Sequence, residues 1–151
     1  MLVSGVGTWN AFRGQNPGGV MLNGACLADA ELAHADLRGA FLLKSDLRGA
    51  NLEGAKLDGA ILRKTVLRGS NLRSASFHGA DLFSADLSGA DLREANLEFS
   101  FLQAADLRGA DMSTVLGLTP GQLIETVGDS NTRLPEYLPR PAWWSRNGMG
   151  A

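Results

Sequence analysis

The side chains here that could do chemistry are two histidines, His34 and His78, one thiol, Cys26, and carboxylates at regular spacing. A histidine set beside a Ser or Cys and a carboxylate would make an activated nucleophile. Carboxylates held within a few ångströms of one another could bind a cation or raise one another's pKa. Asn51, Asn71, Asp91 and Asp111 follow one another at intervals of twenty, as do Asp86 and Asp106. A chain that returned on itself every twenty residues would stack them. Arg48, Arg68 and Arg108 lie in the same rhythm and could meet an anion or the acids beside them. The sequence has no CxxC, HExxH, Walker loop or dinucleotide fingerprint. Solvated histidines, polar outward side chains and exposed ion pairs account for all these groups, so the reading names no catalytic residue, metal or cofactor, and expects no enzyme.

The elements that position these residues follow from a repeat. Starting at Leu22, every fifth residue through Met112 is large and apolar, giving 19 positions of which 17 are Leu, with Phe77 and Met112 the others. Two residues before each lies a small residue, Ala at 14 of the 19. Between them stands Asp or Asn in ten cases, for example Asp36, Asn51 and Asp91. On an α-helix, steps of five would carry the leucines around the whole surface. On a straight strand, an odd step would switch their face each time. Burying all of them requires the chain to bend once per five residues, with one Leu pointing inward per side. Gly recurs at the second corner position (Gly24, Gly39, Gly49 and others), as a tight bend favours.

The outward positions set the number of sides. Met21, Phe41, Ile61 and Phe101 are apolar at a normally polar site and are spaced by multiples of twenty. Four sides per turn align them in one column; three would scatter them. Leu43 and Phe83, one position past the inward leucine, fall on the same side, and Asp81 interrupts the column.

The motif A(D/N)LXX, as in ADLRG, ANLEG and ADLSG over residues 20–114, resembles the pentapeptide-repeat family. The resemblance implies an all-β fold, a right-handed quadrilateral β-helix. It also implies a solenoid of about five coils with short helical or irregular caps at both ends. At the usual strand spacing the shaft would be roughly 23 Å long. Inside it, Ser45, Thr65, Ser70 and Ser100 replace Ala, and their hydroxyls must find backbone partners.

Three segments are expected. Residues 1–19 form an N-terminal cap, with a helical turn near 8–13 and Trp9 and Phe12 over the first coil. Residues 20–114 form the β-helix, and residues 115–151 a C-terminal helix and a Pro/Trp-rich tail. Thr119-Pro120-Gly121-Gln122 reads as a helix start, Leu123, Ile124 and Val127 as its apolar stripe and Gly128 as its end. Prolines keep the tail irregular, and it is expected to run extended along the shaft. Its TP…QL and LP…RP pattern is similar to tails that follow many bacterial pentapeptide repeats.

Composition limits the function. The formal charge is −2, with 14 basic and 16 acidic residues. That balance argues against direct nucleic-acid binding and against a polybasic membrane surface. No run of 18 apolar residues predicts membrane insertion. Residues 1–19 show no secretory pattern, and the lone cysteine suits a reducing, cytoplasmic setting.

The expectation is a non-catalytic protein–protein interaction module. It binds a protein partner or forms a homodimer through the apolar face Met21, Phe41, Leu43, Ile61, Phe83 and Phe101, or through the C-terminal tail. The chain's own termini covering that face is the competing reading. The alternative comes from the resemblance: some family members mimic B-DNA and act on DNA gyrase. That role would call for a strongly negative surface, and the Arg48 column breaks such a field.

Overall fold

The computed structural model describes residues 5–144. Its backbone follows from the buried leucines. Each side is a single-residue parallel bridge to the residue twenty positions on, followed by a two-residue corner, so the bridges stay isolated and do not extend into longer strands. Four columns of bridges result. One runs Met21, Phe41, Ile61, Asp81, Phe101. The others start Cys26–Asp46, Glu31–Asn51 and Asp36–Lys56. We name the four faces after Phe41, Asp46, Asn51 and Lys56. The four-sided winding expected from the sequence is thus observed in the ladder itself.

Each rung repeats one hydrogen-bond pattern. The outward residue's N–H donates back one coil, as from Asp46 to the Ala25 carbonyl at 2.9 Å. The inward leucine's N–H donates forward one coil, as from Leu47 to the Val66 carbonyl at 2.8 Å. The second corner residue takes a left-handed backbone, φ 63° at Gly49 and 57° at Lys44. That conformation explains the preference for glycine there.

The core is a stack of leucines lined by alanines, and Leu47, Leu67 and Leu87 are fully buried, one above another. Burial of each contributes on the order of 1.5–3 kcal/mol against chain entropy. The four interior hydroxyls are satisfied as the sequence requires. Ser70 Oγ donates to the Leu67 carbonyl at 2.7 Å, and Ser45 and Thr65 both donate to that of Leu42. Ser100 Oγ donates to the Leu97 carbonyl. Among the described residues no buried polar side-chain atom lacks a partner.

The ends close by replacing missing backbone with side chains. Helix α1 (Val6–Gln15) is longer than the turn expected at 8–13. It packs Trp9 onto the first coil and sits at the start of the Lys56 face. There no earlier coil exists to pair with residues 34–38. The Asn10 carboxamide takes over one peptide group's role, accepting from the Asp36 N–H at 2.8 Å and donating to the His34 carbonyl at 3.0 Å. Trp9 Nε1 reaches the Asp36 carbonyl and Arg13 Nη2 that of Arg38. Arg13 is a buried cation held wholly by carbonyl oxygens.

The C-terminal end departs from the sequence reading. Among its described residues only Pro120–Leu123 is helical, as a 3-10 turn, and Val127 is no helical stripe residue. The coil continues instead: Leu116 bridges Asn96, Val127 bridges Asp106 and Arg133 bridges Asp111, the last two after insertions of one and two residues. The Phe41 face receives no such rung. Its last coil is met by the Gln122 carboxamide, which donates to the Leu97 and Ser100 carbonyls at 2.7 and 3.0 Å.

Gly128 occupies a leucine position and has no left-handed φ. A Cβ there would lie 2.3 Å from the Trp144 ring, so the indole fills the space a leucine would take. The tail therefore crosses the end of the shaft and does not run along its side. Trp144 is buried, and Arg140 donates to the Asp129 and Thr132 carbonyls. Residues 1–4 and 145–151, parts of the expected end pieces, lie outside the described residues.

Candidate interaction face

The groups that could do chemistry are kept apart by the winding. His34 stands at a corner with its ring over Gly54, and His78 packs edge-on against Phe99 at 5.3 Å. Cys26 is exposed in the Asp46 column. Neither histidine joins a hydroxyl or thiol and a carboxylate into a triad among the contacts of the described residues. No group of His, Cys, Asp or Glu among them is placed to hold a metal ion. No helix among them is long and apolar enough to cross a membrane.

The acidic and basic columns serve each other. Arg48 grips Asp46 two residues back, Nε to Oδ1 at 2.9 Å and Nη2 to Oδ2 at 2.6 Å, and Arg108 grips Asp106 in the same way. Arg68 reaches one coil on, to Asp86, at 2.9 Å. The Asn51 column is a ladder: Asn51 donates to Glu31 and Asn71 donates to Asn51. Each arginine of this column is thereby paired with a carboxylate.

These contacts make stability depend on pH. Hydrogen bonds from Arg38, Arg48 and Arg93 hold the carboxyls of Asp36, Asp46 and Asp91 below the ordinary carboxylate range. Burial pushes Asp129 up, but hydrogen bonds from the Gly109 N–H and Thr132 outweigh it and hold this carboxyl low as well. A lowered folded pKa means that the unfolded chain binds more protons in acid. The contribution is fully present above about pH 4 and is lost as pH falls through the folded values. Urea midpoints should be flat from about pH 5 to 8 and drop below about pH 4. The drop should be small, because the arginine pairs are exposed and screened.

What the winding does bring together is the apolar column. Met21, Phe41, Ile61 and Phe101 project from one face, with exposures of 70% for Met21, 41% for Phe41 and 55% for Phe101, while Ile61 is half-buried. The first corner residue leans back over its own side, as the Arg48–Asp46 pair shows, so Leu43 and Phe83 join the same surface. Leu43 is exposed and Phe83 half-buried. Arg63 lies 4.7 Å over the Phe83 ring and 3.7 Å from Asp81, which ties the interrupting carboxylate down. Among the described residues, the end pieces leave this face open. Gly19 comes against it, close to the Phe41 ring.

Near the C-terminal end of this face the exposed Phe99 and Leu116 escaped the sequence reading, and Ile124, expected in a helix's apolar stripe, lies outside the turn and is exposed. Phe99 stands where the repeat favours Gly, with φ 57° and 67% exposure. A bulky aromatic residue in a left-handed conformation is an outlier, and that was its one available signal. Leu116 and Ile124 are exposed nearby, at the end of the Lys56 face and just after the 3-10 turn. A recess of about 470 Å³ lies beside them, lined by Glu98, Phe99, Gly117, Leu118, Thr119 and Gln122.

Residues 25–63, 50–89 and 85–113 match the family described as pentapeptide repeats, in eight copies. The chain belongs to the pentapeptide repeat family. Pentapeptide repeat proteins of known structure are right-handed quadrilateral β-helices, and the family is generally non-catalytic. HetL of the cyanobacterium Nostoc sp. strain PCC 7120, described as involved in heterocyst differentiation regulation, is 33% identical, with a TM-score of 0.49. The match covers 72% of this chain and 61% of HetL, so this pentapeptide repeat chain spans about three fifths of that relative. Rfr23 of the cyanobacterium Cyanothece 51142 is 29% identical over 84% of this chain and 98% of its own, with a TM-score of 0.45. QnrB1, described as a plasmid-mediated fluoroquinolone resistance protein, is 16% identical over 76% of this chain and 72% of its own, with a TM-score of 0.44. No curated protein matches the chain in sequence.

Proposed function

We propose that this pentapeptide repeat protein is a non-catalytic interaction module that receives a protein on its Phe41 face. The observation that carries the reading is the apolar surface of Met21, Phe41, Leu43, Ile61, Phe83 and Phe101, interrupted by Asp81 alone in its column and left open by the chain's own described ends. Contiguous exposed apolar groups on a soluble fold mark contact surfaces. A shaft held by a hydrogen bond at every rung presents them with little ordering cost on binding. The coil is taken as right-handed, residues 1–19 and the tail after the Arg133 rung as end pieces, and the reducing cytoplasm as the setting. The exposed, unpaired thiol of Cys26 suits that setting.

The gyrase reading gains nothing from the electrostatics. The Arg48 column is paired with acids throughout, and the Phe41 face carries more cations than carboxylates, the reverse of what a DNA mimic presents.

Phe41→Glu with Phe101→Glu tests the proposal. Both side chains point outward, so the melting temperature should stay within a few degrees of the parent. Proteins retained by the immobilised parent from an extract of its own cells should be lost, or self-association should disappear in sedimentation. Unchanged partners together with unchanged oligomeric state would show that this face is not the contact surface.

A further inference from the structure

We infer that the partner seated on the Phe41 face is an acidic protein segment, whose apolar side chains dock on Met21, Phe41, Leu43 and Ile61 while its carboxylates meet Lys44 and Lys64. This rests on the interaction reading above and specifies the chemistry of the partner.

The charges on the four faces are unequal. The Phe41 face and the edge after it carry Lys44, Arg63 and Lys64 against the single carboxylate of Asp81. Each of the other three faces carries more acids than bases. The Asn51 face, opposite, carries Glu31, Glu53, Asp91, Glu94 and Asp111 against Arg73, Arg93 and Arg133. On a chain of net charge −2, the most apolar face is thus the one positive face.

Asp81 engages Arg63, but Lys44 and Lys64 make no ion pair among the described residues. They follow Leu43 and Arg63 at the same corner, and the Lys44 N–H donates to the Arg63 carbonyl of the next coil. Two lysines without an ion-pair partner therefore leave backbones one rung apart, about 4.8 Å, beside the apolar row. Complementary charge at the rim of an apolar contact selects the partner and steers its approach.

A second copy of this chain fits poorly. A two-fold contact with antiparallel shafts, centred on Ile61, sets Lys64 against Lys64 and Phe41 against Asp81. With parallel shafts, the lysine edge faces the glycine edge of Gly39 and Gly59, which carries no charge. Docking onto the acidic Asn51 face of another copy does not close and would run on into open chains. Nucleic acid and anionic membrane call for longer basic tracts than two free lysines. An acidic segment with apolar anchors answers both halves of the surface.

The test uses the intact chain, immobilised, and a phage-displayed library of random peptides of about twelve residues. Selected peptides are then measured by fluorescence anisotropy against the parent, Lys44→Glu/Lys64→Glu, Lys44→Arg/Lys64→Arg and Phe41→Ser. All of these substitutions are at exposed positions, and circular dichroism verifies the fold. The expected result is enrichment of Asp and Glu beside Phe, Leu or Trp. Affinity should fall about tenfold or more in the Glu pair, hold in the Arg pair and fall in Phe41→Ser. It should also weaken as salt is raised.

Peptides without acidic bias that nevertheless lose binding in Phe41→Ser would overturn the inference and leave the interaction face standing. Peptides indifferent to both sets of substitutions, or no enrichment at all, would overturn both. Lysine-dependent sedimentation with phosphatidylserine vesicles, or growth into open polymers with concentration, would overturn the acidic-protein partner in favour of membrane or self-association.

Discussion

Leu67→Ala is expected to destabilise the chain by about 2–5 kcal/mol, whereas Arg68→Ala, one position along, should change stability by less than about 1 kcal/mol. Leu67 is fully buried between Leu47 and Leu87 in a stack one side chain wide. Its neighbours are fixed by backbone ladders above and below, so the tube cannot collapse into the gap and the cavity persists. Arg68 leaves the same strand outward, with more than half of its side chain exposed and one ion pair to Asp86. Urea unfolding of the two variants measures the contrast. A helix or a flat sheet would not concentrate the whole effect on every fifth residue.

Trp144→Ala carries the second large effect, a loss of about 3–5 kcal/mol. The indole is buried against Gly128, where the inward leucine of a further coil would stand, and its Nε1 donates to the Thr126 carbonyl at 3.2 Å. Arg140 stacks over the ring at 5.9 Å and ties the tail to Asp129 and Thr132. Removing the ring opens the end of the leucine stack to water and frees an edge that other chains can join. The variant should therefore melt lower and also associate as concentration rises, which sedimentation velocity follows. Gly128→Ala should act in the same direction, because its methyl group and the ring compete for one space. Normal stability in both variants would mean that the tail does not plug the shaft.

The repeat was legible because it is a burial constraint. No regular helix or strand can hide an apolar residue at every fifth position, so the bend follows from the leucines alone. The twenty-residue turn was legible from exceptions: Met21, Phe41, Ile61 and Phe101 break the polar rule in one rhythm, and the bridges align them. The apolar face proposed for interaction was readable for the same reason.

The ends were readable only in their starting points, the helix around 8–13 with Trp9 and the Thr119–Gln122 capping box, because the rest of their logic is not periodic. Asn10 and Gln122 imitate peptide groups, and nothing in the spacing of a single carboxamide announces that role. Thr119-Pro120 does begin a helical turn, but Thr126 and Thr132 then take inward positions that alanine fills elsewhere, and the coil resumes with residues inserted. Gly128 looked like a helix terminator when its reason is an aromatic ring sixteen residues away. Phe99 was hidden in a position where the motif directs attention to glycine.

Positions twenty residues apart must be stacked neighbours, since that alone gathers the apolar residues into one face. Nitroxide labels test it directly. In a Cys26→Ser background, Phe41→Cys with Ile61→Cys should give strong spin–spin broadening in continuous-wave spectra, as expected for sites about 4.8 Å apart along the ladder. Phe41→Cys with Lys56→Cys, fifteen residues apart and on adjoining faces, should give much weaker broadening. Broadening in the second pair and none in the first would contradict the four-sided winding, and the Phe41 face would cease to exist as a surface.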